Sequence, residues 1–305
     1  MVTTAPLILD WVTVRPPLAD SVEWMHSAIA VLGDGRLVYG AVGGGALIIH
    51  DERSDTQRHV RVPIAAAHGI VAVARNGAET LWVADPGPEG GVGQVLELSL
   101  DGRILTRVAP PPRAVSGGWR PTAVVPAPDG ALWIADGYGQ SLIYRLMPGG
   151  RVDVLDSVAG LAFDCPHDLV VDTRDAEHTM AVADRGNRRI VFLNLDGSLD
   201  RVVADDRLRA PSCLALRGDD LLVTELLGAI ISVDRADRVA VRAGAVLDEV
   251  RPGFPNQVID GETVAPVLVE GVLNSPHGID ATDSGLVYVT EWLFGGRVER
   301  LRLSE

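Results

Sequence analysis

Histidine is scarce in this 305-residue chain, with seven copies, and three of them share one local setting. His68 lies in AHGI, His167 in PHDL and His277 in PHGI, each after Ala or Pro and before a short apolar run. Neutral imidazole nitrogen is a favoured zinc ligand, and three such ligands leave one position open for water or substrate. Capping of strand ends explains one histidine easily and three in register poorly. We therefore expect His68, His167 and His277 to form a tridentate site for Zn2+ or another divalent transition metal. His26 lies one residue before its own register position and is expected outside the site. His50, His59 and His178 have no register and read as surface residues.

Two further side chains suit chemistry beside a metal. Tyr138, in IADGYGQS, follows Asp136 by two residues, and a nearby cation would lower its pKa enough for it to act as a general base. Arg185, in VADRGNRRI, occupies the corresponding loop one unit later and suits a carboxylate or a polarised carbonyl. The ordinary alternatives are a half-buried loop tyrosine and a surface charge paired with Asp184; Arg188 and Arg189 fit that plainer role. Asp85, Asp136, Asp184, Glu225 and Glu291 recur in one register, including in units without histidine. That distribution points to loop anchoring through backbone N–H groups rather than catalysis. Cys165 precedes Pro166-His167, but in an extended segment its side chain points away from that of His167, so it is left out of the metal set.

The elements that must bring these residues together form a repeat. SPHGIDATDSGLVYVTEW (275–292) aligns with CPHDLVVDTRDAEHTMAVADR (165–185), AAHGIVAVARNGAETLWVADP (66–86) and RPTAVVPAPDGALWIADGY (120–138). APSCLALRGDDLLVTEL (210–226) is a fifth copy and HSAIAVLGDGRLVYGAV (26–42) a weaker sixth. Each unit reads as an anchor residue, an apolar strand, a turn with Gly or Asp, and a strand of the LWVAD type. A third strand follows, at 95–100, 142–146, 190–195, 229–234 and 298–303. The anchors are Ser27, His68, Thr122, His167, Ser212 and His277, 41 to 65 residues apart. Three strands and a loosely patterned fourth at this period are the blade of a β-propeller. We expect an all-β chain with one six-bladed propeller domain over residues 1–305, its blades four-stranded around a central channel. The strand at 7–14 would complete the last blade and close the ring, leaving no open sheet edge. The irregular stretch 239–272 is expected to be partly an outer strand and partly a loop over one face, with a lid left open as a use for it.

Composition narrows the function. The balance of 27 basic against 41 acidic side chains gives a net charge of −14, which disfavours nucleic acid and anionic membrane as partners. All 27 basic residues are arginine, so lysine Schiff-base chemistry is excluded. No apolar run reaches the roughly 18 residues of a membrane span, and no secretory signal is expected at MVTTAPLILDWV. Two cysteines, Cys165 and Cys213, make no disulfide framework and suggest a reduced, cytoplasmic setting. GxSxG, a phosphate-binding glycine loop and HExxH are all missing from the sequence. A small-molecule substrate is the expected partner; nothing in the sequence speaks to oligomeric state.

The blades resemble NHL repeats, of which DGETVAPVLVEGVLNSPHGI (260–279) is typical. The motif order is similar to that of the peptidyl-α-hydroxyglycine α-amidating lyases: AHGI at 67–70, PTAV at 121–124 with DGY at 136–138, PHDL at 166–169 with ADRGNRRI at 183–190, and PHGI at 276–279. The likeness spans about residues 60–300 and lies in the order of short motifs along the blades. It implies a six-bladed propeller, zinc on His68, His167 and His277, Tyr138 as base and Arg185 against the substrate. The chain departs from the family in three places. DSVEWMHSAIAV (20–31) lacks the family's further substrate arginine. Gly278 stands where the family has an aspartate linked to a structural Ca2+. The disulfides of that secretory family have no counterpart.

Three functions follow as expectations. The first is a zinc-dependent lyase that cleaves the C–N bond of an α-hydroxyglycine-like or carbinolamide substrate. Tyr138 would take the hydroxyl proton, a carbonyl would form, and the nitrogen group would leave. The second is a metal-dependent hydrolase of a lactone, ester or amide; the calcium set of sugar lactonases has only Asn256 and Asn274 as hints here. The third is a propeller that only binds a ligand or protein, since fold does not give function.

Overall fold

The computed structural model describes residues 8–75, 77–115 and 118–304. Its strands form six four-stranded antiparallel sheets, and in five of them the strands follow chain order from the channel outward. The innermost strands are Ile29–Val31, Gly69–Arg75, Ala123–Pro126, Pro166–Asp172, Pro211–Arg217 and Pro276–Ala281. Each touches the next, and the last touches the first, so the six sheets close into a ring. The chain is therefore a six-bladed β-propeller. The only helix among the described residues is Pro112–Val115, and none is long and apolar enough to cross a membrane.

The sixth blade closes the ring. Its outermost strand is Ile8–Arg15, which pairs antiparallel with Arg297–Leu303. Leu7 of the expected strand lies outside the described residues. Trp11 Nε1 and Thr13 Oγ1 both donate to the Glu299 carboxylate at 3.1 Å, so side chains reinforce the seam made by the backbone ladder. Joining first and last strands in one sheet removes the open edge that would otherwise invite pairing with another chain.

The apolar runs are dense because each sheet packs on both faces. One apolar cluster fills each gap between neighbouring blades, so the core is six wedges rather than one centre. The second strand of the fourth blade, Thr179–Asp184, is buried at every position, whereas the outermost strand of the first blade, Thr56–Arg61, buries only Val60. Inner strands consequently read as continuous Val/Ile/Leu/Ala and outer strands as polar. Full burial of Phe192, in the wedge between blades four and five, contributes roughly 2–3 kcal/mol.

Stretch 239–272 contains the expected outer strand and, beyond it, a hairpin that the sequence did not signal. Val239–Gly244 is the outermost strand of the fifth blade, and Gln257–Ile259 pairs with Glu262–Val264 in a separate hairpin. Asn256 and Asn274 fasten this stretch: Asn256 Oδ1 accepts from Phe294 N–H at 3.0 Å, and Asn274 Oδ1 accepts from Arg251 at 2.7 Å.

Candidate metal centre

All six anchors are 1 % exposed or less. The three histidines are locked in the same way. Nδ1 of His68 lies 2.7 Å from the carbonyl oxygen of Thr122, Nδ1 of His167 lies 2.9 Å from that of Ser212, and Nδ1 of His277 lies 3.3 Å from that of Ser27. In each case the partner is the anchor of the next blade. A carbonyl only accepts, so each Nδ1 carries the proton and each Nε2 keeps its lone pair. Backbone carbonyls that orient a ligating imidazole in this way are the usual support of a metal site.

Gly69 and Gly278 let the blades approach closely enough for these bonds. A Cβ at Gly69 would lie 2.7 Å from the Thr122 carbonyl oxygen, and one at Gly278 would lie 2.6 Å from the Cα of Ala28. Gly278 therefore admits no aspartate, and the calcium that the resemblance linked to that position has no ligand there.

Lone pairs outnumber donors where the imidazoles meet. The Tyr138 hydroxyl lies 3.1 Å from Nε2 of His68, 3.0 Å from Nε2 of His167 and 3.3 Å from Nε2 of His26. One hydroxyl hydrogen satisfies at most one of the two fixed lone pairs, those of His68 and His167. Nε2 of His277 is buried with no hydrogen-bond partner among the described residues. An orphaned buried acceptor costs about 1–3 kcal/mol, and a cation among the four nitrogens removes that cost. One ring nitrogen from each of His26, His68, His167 and His277 lies within 4.8 Å of all the others. Zinc holds such nitrogens at about 2.0–2.1 Å in a tetrahedron, so the donor set fits a transition metal after a small inward movement.

Electrostatics keep the set ready to bind. Burial lowers the pKa of all four histidines, to about 3 for His68. The Arg185 guanidinium pushes each of them in the same direction. The imidazoles are therefore neutral at physiological pH, as ligation requires.

Tyr138 and Arg185 both reach this centre. Burial pushes the Tyr138 hydroxyl up to about 12, and the Arg185 guanidinium, 5.4 Å from the ring centroid, pulls it back. Unaided, Tyr138 is a proton donor at neutral pH; a divalent cation would pull it further toward the phenolate. Arg185 has no carboxylate partner among the described residues. It donates instead to Cys165 Sγ at 3.2 Å, while Asp184 takes Arg189 at 2.6 Å. Cys165 has φ +52°, so the extended geometry expected there does not hold. Its sulfur still stays out of the nitrogen group and faces Arg185.

The repeated carboxylates do tie down loops. Asp85 accepts from the N–H groups of Ala65, Ala66 and Gly87, Asp136 from Arg120 and Gln140, and Glu225 from Arg209 and Ala210. Asp184 and Glu291 do the same and also bind Arg189 and Arg297.

Sequence reasoning misplaced two histidines. His26 belongs to the centre because its neighbour Ser27 is small and turns away, donating to the Ala28 carbonyl and accepting from Gly40 N–H. The segment entering the first blade thereby carries His26 over the channel. His50 is fully buried, its Nδ1 3.3 Å from the Tyr39 hydroxyl, because it lies on an inward position of Ala46–Asp51. His59 and His178 are exposed, as expected. The sequence also hid the neighbours of His26. The ring of Trp292 lies 5.6 Å from its ring and stacks on Trp24 at 5.0 Å. Arg120, from the loop entering the third blade, is near enough for its charge to act on His26.

No protein-family description and no curated protein matches the chain. Solved structures do. A streptogramin B lyase superposes with TM-score 0.60 at 15% identity, over 97% of this chain and 98% of that one. A virginiamycin B lyase from Staphylococcus aureus, a catalytically inactive histidine-to-alanine variant with quinupristin, matches with TM-score 0.57 at 14% identity, over 92% and 81%. A Bacteroides thetaiotaomicron protein of unknown function matches with TM-score 0.68 at 12% identity, over 96% and 76%. At these identities the likeness establishes one thing about the chain: its fold is theirs, the β-propeller.

Proposed function

We propose that the protein is a metal-dependent lyase that cleaves the C–N bond of a small carbinolamide, such as an N-acyl α-hydroxyglycine. The observation that carries the reading is the surplus of fixed imidazole lone pairs beside Tyr138 and an Arg185 that has no carboxylate partner among the described residues. His68, His167 and His277 would hold zinc, with His26 as a fourth donor that can give way to substrate because no carbonyl among the described residues locks it. Zinc in such a site supplies Lewis acidity toward a hydroxyl or carbonyl oxygen. Tyr138 takes the proton of the substrate hydroxyl. The C–O bond becomes a carbonyl as the C–N bond breaks, and the nitrogen leaves with the proton returned from Tyr138. The products are an amide and an aldehyde acid, so atoms and charge balance.

Arg185 binds the carboxylate of that substrate, and Arg120 supplies the second cation that the first blade lacks. Both are free of carboxylate partners among the described residues, which leaves their charge available. The lyase names of two structural neighbours, one with an inactive histidine variant, agree with this reading without specifying its substrate.

The test combines elemental analysis with product identification. Zinc-loaded protein should carry about one metal per chain and convert α-hydroxyhippurate to benzamide and glyoxylate. Formation of an acid and an amine or alcohol from esters or lactones instead would favour a hydrolase. Absence of bound transition metal after incubation with zinc would exclude both and leave a binding propeller.

A further inference from the structure

Beyond the layer of anchors, the channel opens into a second chamber of about 500 Å³, lined by all six innermost strands and reaching the surface at Ala74. Its walls are largely aliphatic, including Val31, Ile70, Val125 and Val170, and among the described residues no arginine or histidine lines it. The charged groups on the wall are Asp168 and Asp280, from the fourth and sixth blades. Asp168 Oδ2 accepts from Leu214 N–H at 2.8 Å, and Asp280 accepts from Val31 N–H at 2.7 Å and Ala281 N–H at 2.8 Å. These bonds fix the carboxylates but bring no counter-charge. Among the described residues no arginine pairs with either, whereas the buried Asp172, Asp184 and Glu291 each have one.

An uncompensated carboxylate on an apolar wall is costly, and a cation with an apolar body relieves both the charge and the wetted surface. The volume lies within the range of small-molecule sites. A bare calcium ion fits less well, because it takes six to eight oxygen ligands and the side chains here offer only two carboxylates. We propose that this chamber is a second ligand site, distinct from the histidine centre, for a small organic cation: a protonated alkyl- or cycloalkylamine whose ammonium pairs with Asp168 and Asp280 and whose carbon skeleton fills the aliphatic remainder.

Titration calorimetry on the full chain tests this, near pH 8, where an alkylamine remains protonated as lysine does. The probes are cyclohexylmethylamine, cyclohexylmethanol, tetramethylammonium and calcium chloride. The expected result is one amine per chain, bound at least tenfold more tightly than the alcohol or tetramethylammonium. Asp280→Asn and Asp168→Asn should each weaken the amine at least tenfold while keeping the wild-type circular dichroism and melting temperature. If one carboxamide variant does not fold, the other decides. His68→Ala should bind the amine as the wild type does, which separates this site from the histidine centre. Equal binding of amine and alcohol, unchanged affinity in a folded carboxamide variant, or displacement of the amine by calcium would overturn the proposal.

Discussion

The two ends of the channel are built by the same six strands and present opposite chemistry. Around Tyr138 the walls offer nitrogen lone pairs flanked by arginines that have no carboxylate partner among the described residues, a place for a metal and an anion. Past the anchor layer they offer carboxylates on hydrocarbon. His167 and Asp168 are adjacent in sequence, yet one faces the histidine centre and the other lines the chamber. A propeller repeats one geometry six times, so each position along the innermost strand becomes a ring at its own depth. Chemistry is decided by which residues occupy a given depth, and neighbouring depths are independent.

The largest expected effect breaks the histidine end alone. His167→Ala should abolish stoichiometric zinc and lower turnover of the carbinolamide by more than a thousandfold, with the circular dichroism of the sheets unchanged. A variant that keeps both metal and activity would remove the distinction between the ends. Tyr138→Phe sharpens it differently. Zinc content should stay at the wild-type level while kcat drops about 10²–10⁴-fold, the usual range for losing a general base. Loss of metal along with activity would make the hydroxyl part of the holding set rather than the proton acceptor.

Arg185→Ala should raise KM for a carboxylate-bearing substrate about 10–100-fold, the worth of one charge-assisted hydrogen bond, and change KM for the corresponding methyl ester little. Equal effects on acid and ester would argue that Arg185 serves only to position Tyr138.

Acid should act on the two ends with opposite sign in metal-free protein. Burial holds His68 down to about 3, so its contribution to stability is present above pH 6.5 and is lost as pH falls, by up to about 1.4 kcal/mol per pH unit. Burial raises Asp280 to about 6, so its contribution is present below about pH 3.8 and is lost as pH rises through 6. Urea unfolding near pH 4.5 and pH 7 checks both. His68→Gln should flatten the loss toward acid. Asp280→Asn should remove about 2 kcal/mol of wild-type advantage seen at the lower pH and not at the higher. Parallel shifts in both variants would contradict the contrast between the ends.

Much of this was legible in the sequence. The anchors Ser27, His68, Thr122, His167, Ser212 and His277 converge in one layer, and the third strands fall within a residue of their expected bounds. Both results rest on local signals: turn residues, apolar runs and a recurring register. The loop-anchoring role of Asp85, Asp136 and Glu225 was legible for the same reason, since recurrence in blades without histidine separates architecture from chemistry. His26 was not, because its place depends on how Ser27 turns against Gly40 in a neighbouring strand. Nor was the burial of His50, or the left-handed backbone of Cys165 that aims its sulfur at Arg185.

By itself, then, the sequence determined the blade, its repetition and the three histidines in register, because strand pairing and burial within a blade are set by residues close along the chain. Only the tertiary structure decided that His26 is the fourth nitrogen, that Arg120 and Trp292 flank it, and that the channel has a second, acidic chamber. Those facts are distances across the ring, between blades whose sequences never meet. They are set by how the six innermost strands pack against one another around the ring, which the pattern within any one blade does not encode.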